Sequence, residues 1–151
     1  TGDIQLTLVQ KIALTGAVII TTPQDLALID VRKGSDMFKK VNTPLLGVIE
    51  NMSKYLLKGK IENYDKDSEI NVVFDNEDDI KINADGTFNL SVDIFKGMGG
   101  KEESERLNVP LLGKINMDPA LSSSADQGIP YVINEPETDN FLEFINISNK
   151  I

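Results

Sequence analysis

The chain has 151 residues, 40% of them hydrophobic and 26% charged, with no cysteine, no histidine and a net charge of −9, and ten of its acids fall between Glu62 and Asp93 against only Lys66 and Lys81. This composition fits one globular domain with a sizeable core, and it excludes disulfides, thiolate metal sites and imidazole chemistry, so a bound metal would need oxygen ligands. No apolar run approaches a membrane span and no basic stripe awaits phosphates, so neither a membrane nor a nucleic acid is the expected partner, and the expected location is cytoplasmic.

Residues 3–13 predict a helix, with Asp3 as N-cap and Ile4, Leu8 and Ile12 on one stripe. With no initiator Met and no preceding strand, the opening Thr1-Gly2-Asp3 is expected to lie inside a longer reading frame. The β-branched run at residues 17–22 predicts a strand covered on both faces, as in a parallel sheet. A second helix is expected from Thr22-Pro23-Gln24-Asp25, with Thr22 as N-cap, Pro23 in the first turn and Asp25 completing a capping box. Its inward stripe reads Ala27, Val31, Gly34, Phe38 and Val41. Pro44-Leu45-Leu46-Gly47-Val48-Ile49 and Pro110-Leu111-Leu112-Gly113-Lys114-Ile115 both read as strands opened by proline. Helices are expected at 99–108, 118–127 and 138–150. This alternation implies a parallel sheet flanked by helices.

Between these halves the period changes to two, through Ile70, Val72 and Phe74, then Ile80 and Ile82, then Phe88, Leu90, Val92 and Ile94. The expectation is an acidic antiparallel β-meander inserted at 54–94, separate from the central sheet. A calcium loop at Asn83-Ala84-Asp85-Gly86 fails at both ends, where Lys81 and Val92 stand in ligand positions. Glu50, Asp118 and Asp126 are acids that no spacing singles out.

Four segments carry a family resemblance: Thr1-Gly2-Asp3, the stretch from Gly16-Ala17-Val18-Ile19-Ile20-Thr21-Thr22-Pro23-Gln24-Asp25 to Asp30-Val31-Arg32-Lys33-Gly34, Glu50-Asn51-Met52-Ser53, and Phe95-Lys96-Gly97-Met98-Gly99-Gly100. Together they resemble the second half of the Mrp/ApbC family, deviant P-loop ATPases that carry iron–sulfur clusters. The match covers residues 1–53 and 95–151. In that family a Cys-x-x-Cys pair falls between the Asn-Met-Ser and the glycine cluster; here residues 54–94 fill that place without a cysteine.

The resemblance implies a SIMIBI-class P-loop NTPase fold, of which this is the C-terminal half, with ATP and Mg as cofactors of the full-length protein. It also implies a homodimer, apo-protein clients and a cluster bridged by cysteines of both subunits. Gly2 and Asp3 would belong to a switch region beside the γ-phosphate, with Asp3 the catalytic candidate; Asp3 as a plain helix cap is the competing reading. Asn51 and Met52 would lie on the adenine side, with Asn116 and Asp118 forming a second wall. The family usually has proline in place of Asn116. With no Gly-Lys-Ser/Thr and no thiolate, this chain alone is expected neither to hydrolyse ATP nor to hold a cluster. Two other readings stand beside this one. One is a non-catalytic interaction module whose acidic insertion binds a basic partner. The other is a MinD/ParA-type partitioning ATPase, disfavoured because the last helix lacks the lysines of such anchors.

Overall fold

The computed structural model describes residues 2–63 and 82–151. Its elements are α1 (Gly2–Lys11), β1 (Ala17–Thr21), α2 (Asp25–Lys40), β2 (Leu45–Lys60), β3 (Thr87–Val92), α3 (Gly99–Leu107), β4 (Leu111–Met117), α4 (Pro119–Gln127), α5 (Tyr131–Asn134) and α6 (Asp139–Ser148). The strands β1 and β4 pair parallel to β2 on its two edges, as the alternation of strands and helices implied.

Side-chain alternation divides the core between the two faces of this sheet. On one face Ile19, Val48 and Leu107 are buried, with Val31, Phe38 and Leu111 packed around them, so α2 and α3 cover it. On the other, Leu112, Ile115 and Ile147 are buried against Val18, Ile49, Leu121 and Phe144, so α4 and α6 cover it. Val18 and Ile19, Val48 and Ile49, and Leu111 and Leu112 each send neighbouring side chains to opposite cores. This is the α/β layering expected of continuous apolar strands.

Several expectations need correction. The first helix starts at Gly2, so Asp3 lies within its first turn and is not its N-cap. Its stripe is uncovered, with Ile4 80% and Ile12 52% exposed, and α1 packs chiefly on α2 among the described residues. The second helix starts two residues later than expected: Gln24 is the N-cap, without a side-chain bond, and the Thr22 hydroxyl is buried with no partner among the described residues. The reason is Gly99, whose N–H takes the Pro23 carbonyl and holds residues 22–23 in the loop. β1 is covered on both faces at Val18 and Ile19 but opens at its end, where Ile20 is 59% exposed, and it is an edge strand that pairs with β2 alone among the described residues.

The largest departure concerns β2. It does not end at Asn51; it runs to Lys60 and pairs antiparallel with β3, from Tyr55 opposite Val92 to Lys60 opposite Thr87. The excursion is therefore a continuation of the central strand, and the boundary expected at 54 falls inside it. A bulge between Asn51 and Tyr55, with Met52 at φ 56°, makes the transition. Because Tyr55 pairs with Met117 on one side and Val92 on the other, β3 takes over the edge that β1 leaves. The expected strands at 70–74 and 80–81 lie outside the described residues. Ile82 makes a single bridge to Phe88, and Asp85 closes the turn by accepting from the backbone N–H and hydroxyl of Thr87.

Candidate functional site

The bulge in β2 and the end of β4 together frame a cleft of about 510 Å³. Asn51, Met52 and Tyr55 line it from β2; Asn116, Met117, Asp118, Pro119, Leu121 and Ser122 line it from β4 and the start of α4. Four residues singled out in the sequence, Asn51, Met52, Asn116 and Asp118, thus meet in one place. Gly2 and Asp3 open α1.

Each wall has a local cause. The Asn51 side-chain oxygen accepts from the Met52 N–H at 2.9 Å, which closes the bulge and leaves the Asn51 amide NH₂ as the group open to a ligand. Asp118 is the N-cap of α4, accepting from Ala120 N–H at 2.8 Å with Pro119 in the first turn. Its second oxygen accepts from the Tyr131 hydroxyl at 2.6 Å. Burial, together with the bond to Asp118, pushes the Tyr131 phenol above its ordinary range, so it remains a proton donor. Thr138 caps α6 by accepting from Phe141 N–H and also meets the Tyr131 hydroxyl, which ties the start of α6 to the same loop. A smaller cleft of about 250 Å³ continues behind this loop, from Tyr55 and Lys58 to Thr138 and Asn140.

Two residues absent from the expected site hold it together. Glu50, almost wholly buried, accepts from Gly100 N–H at 3.0 Å and Ser53 Oγ at 3.1 Å and pairs with Lys114 Nζ at 2.8 Å. It joins β2, β4 and the glycine cluster. A Cβ on Gly100 would lie 2.6 Å from that of Glu50, so only glycine allows this approach. Because the Gly99 N–H already donates to the Pro23 carbonyl and the Gly100 N–H to Glu50, the glycine cluster reads as a packing device more than as an anion cradle. A lone charge ending an apolar strand was the available sign. Asn140, also buried, bonds the backbone of Asn116, and no local sequence signal announces such a tertiary contact.

A second polar cluster lies between α2 and α3. Glu103, fully buried, accepts from Ser35 Oγ and from Arg106 Nε and Nη2, each at 2.8 Å, with Arg32 at 3.5 Å. Burial pushes its carboxyl up, but the bonds from Arg106 and Ser35 outweigh this and hold it below the ordinary value.

A family model described as ParA, NUBPL iron-transfer P-loop NTPase, matches residues 1–78 and 76–151. The chain belongs to this family. It is 39% identical to an iron–sulfur cluster carrier protein of Escherichia coli K12 over all of its own length and 33% of that protein. It is 30% identical to the iron–sulfur cluster transfer protein NUBPL of Mus musculus, over its whole length and 39% of that protein. The chain therefore spans about a third of the curated relatives it matches. Its fold is similar to that of the septum site-determining protein MinD of Pyrococcus horikoshii, solved with Mg-ADP, at a TM-score of 0.56 and 21% identity over 90% of this chain and 40% of that one. The fold class read from the sequence, that of a P-loop NTPase, is thus the fold observed. Among the described residues no helix is long and apolar enough to cross a membrane.

Proposed function

We propose that this chain forms the nucleobase side of a cytoplasmic, homodimeric ATPase serving iron–sulfur protein assembly, and that it contributes no ligand to the cluster. The observation that carries the reading is the convergence of Asn51, Met52, Asn116 and Asp118 on one cleft, whose 510 Å³ falls within the ~300–1,000 Å³ of small-molecule sites. Met52, Met117 and Leu121 offer apolar surface to a purine ring, and the Asn51 and Asn116 amides suit its polar edge. Adenine is the proposed base because the Asn51 and Asn116 amides offer a donor and an acceptor to its edge, while each Asp118 oxygen is already committed to one partner within the protein.

The triphosphate finds no matching set here. The sequence has no Gly-Lys-Ser/Thr, and the N-terminus of α3 is held by Glu50. ATP and Mg are accordingly proposed as cofactors of a longer polypeptide, with Gly2 and Asp3 as its switch segment. The donors for an iron–sulfur cluster do not fit either. With no cysteine or histidine, the place of the family's cysteine pair is taken by strands β2 and β3. Client apo-proteins are proposed because the relatives are named for cluster carriage and transfer.

The test is a nuclear magnetic resonance titration of the labelled chain with adenosine to millimolar concentration, alongside calorimetry with Mg-ATP. The reading expects shifts at Asn51, Met52, Asn116 and Leu121, and no micromolar isotherm. Shifts confined to other surfaces would sink it.

A further inference from the structure

Helix α6 treats the outer edge of β4 as a neighbouring strand would. Lys150 Nζ donates to Leu112 O at 2.6 Å, and Lys114 N–H donates to Glu143 Oε1 at 3.1 Å. Asn140 satisfies both backbone groups of Asn116: its Oδ1 accepts from the N–H at 2.9 Å and its Nδ2 donates to the carbonyl at 3.1 Å. Asn140, Glu143 and Ile147 recur at helical spacing, so one face of α6 addresses β4, with Ile147 supplying the apolar contact and Lys150, just past the helix end, extending the row. A sheet edge left open would present unpaired N–H and C=O groups. Here side chains close it.

The last of these contacts differs from the others in position. Leu112 and Lys114 lie within the sheet, whereas Asn116 lines the cleft, and its own side-chain amide makes no hydrogen bond among the described residues. We propose that Asn140 is a positioning residue for nucleobase binding: its two-point bond fixes the backbone of Asn116, and so aims the free Asn116 amide at the base. This rests on the adenine reading above and names the residue that sets the geometry of its second wall. Only an amide serves at position 140, because one atom must accept while the other donates. Asn140 is 5% exposed, at the back of the smaller cleft, so its two bonds to Asn116 are largely shielded from solvent.

The experiment replaces the amide by its acid. In Asn140→Asp at neutral pH one carboxylate oxygen still accepts from Asn116 N–H, while the other confronts the Asn116 carbonyl with no proton between them. Protonating that carboxyl restores a donor and recreates the pattern of the amide. Adenosine is the probe because it has no phosphate to titrate. The ionisable groups around the position are Asp118 and Tyr131 across the loop, Asp139 and Glu143 on α6, Lys58 on β2 and Lys114 on β4. Parent and variant share all of them, and because Asn140 also acts on the Tyr131 hydroxyl, hydrogen exchange at Asn116 N–H is followed beside affinity to read the Asn116 contact itself. The expected result at pH 7.5 is about tenfold weaker adenosine binding, the equivalent of one lost buried hydrogen bond, with recovery toward the parent at an acid pH where the new carboxyl is protonated.

A second variant, Asn140→Ala, serves if the acid fails to fold. It removes both bonds, and it should speed hydrogen exchange at Asn116 N–H and weaken adenosine at every pH without recovery. Equal adenosine affinity in parent and variants at both pH values overturns the positioning role while leaving the adenine reading intact. A parent that shows no shift at Asn51 and Asn116 overturns both.

Discussion

Glu50 is where the packing of this protein and its candidate site depend on one side chain, and two substitutions separate its contributions. Replacing it with alanine leaves the Gly100 N–H and the Ser53 hydroxyl buried without their acceptor, at about 1 kcal/mol each, the low end for buried donors. It also removes one buried methylene, worth about 0.8 kcal/mol. The ion pair adds little, because the Lys114 side chain is 50% exposed and rehydrates when its partner goes. The loss is thus about 3 kcal/mol, which for a domain of this size lowers Tm by roughly 6–12 °C. Glutamine keeps more. Its oxygen can accept from Gly100 N–H and its NH₂ can donate to Ser53 Oγ, but that NH₂ then faces Lys114 Nζ and the Ser53 hydroxyl loses its acceptor, so the expected loss is about 1–2 kcal/mol. Urea and thermal unfolding followed by circular dichroism measure both, and an unchanged m-value makes the comparison valid. If glutamine proves as damaging as alanine, the charge pair dominates and this apportioning is wrong. An alanine variant within 0.5 kcal/mol of the parent would show that the cluster contributes nothing to stability.

Glu103 predicts a pH effect. Its folded pKa is depressed, so its contribution is present above the unfolded value and is lost as pH falls through the folded one. Glu103→Gln should therefore lower Tm at neutral pH and flatten its decline below roughly pH 5; parallel Tm profiles would contradict this. Gly97→Ala should cost about 1–3 kcal/mol, because φ there is +130° and a Cβ would meet the Pro23 carbonyl oxygen, whereas full retention of Tm would mean the loop relocates freely. Anaerobic reconstitution with iron and sulfide, then desalting, should leave a colourless chain; a stable visible chromophore with stoichiometric iron and sulfide would show ligands other than thiolate or imidazole.

The central sheet was legible because its strands announce themselves. Uninterrupted runs such as Val18-Ile19-Ile20 and Leu45-Leu46 are what two-sided burial selects, and Pro44 and Pro110 mark the entries to β2 and β4. The two late helices, expected at 118–127 and 138–150, lie within two residues of those bounds, and the structure supplies the local reason in the caps Asp118 and Thr138. The bulge at Met52 was not, since methionine carries no preference for φ 56° and a strand that bends resembles a strand that ends. The start of α2 was misplaced because Thr22-Pro23 satisfies every local rule for a helix entry, and a tertiary bond from Gly99 overrides them. Of the site, the asparagines came from family resemblance. Glu50, Tyr131 and Asn140 act across 13 to 50 residues of sequence, a separation at which periodicity and spacing are silent.

The bulge also explains why the cleft and the β2–β3 arm belong to one unit. Up to Glu50, β2 has β1 on one edge; from Tyr55 onward that edge belongs to β3. Asn51 and Met52 lie at the changeover, where the ladder is interrupted and side chains turn toward the cleft instead of a core. Tyr55, the first residue past the bulge, pairs with Val92 and Met117 at once and lines both clefts. The β2–β3 arm is therefore bonded through one strand to the wall of the candidate nucleobase site, and the pairing of β2 with β3 keeps the two in register.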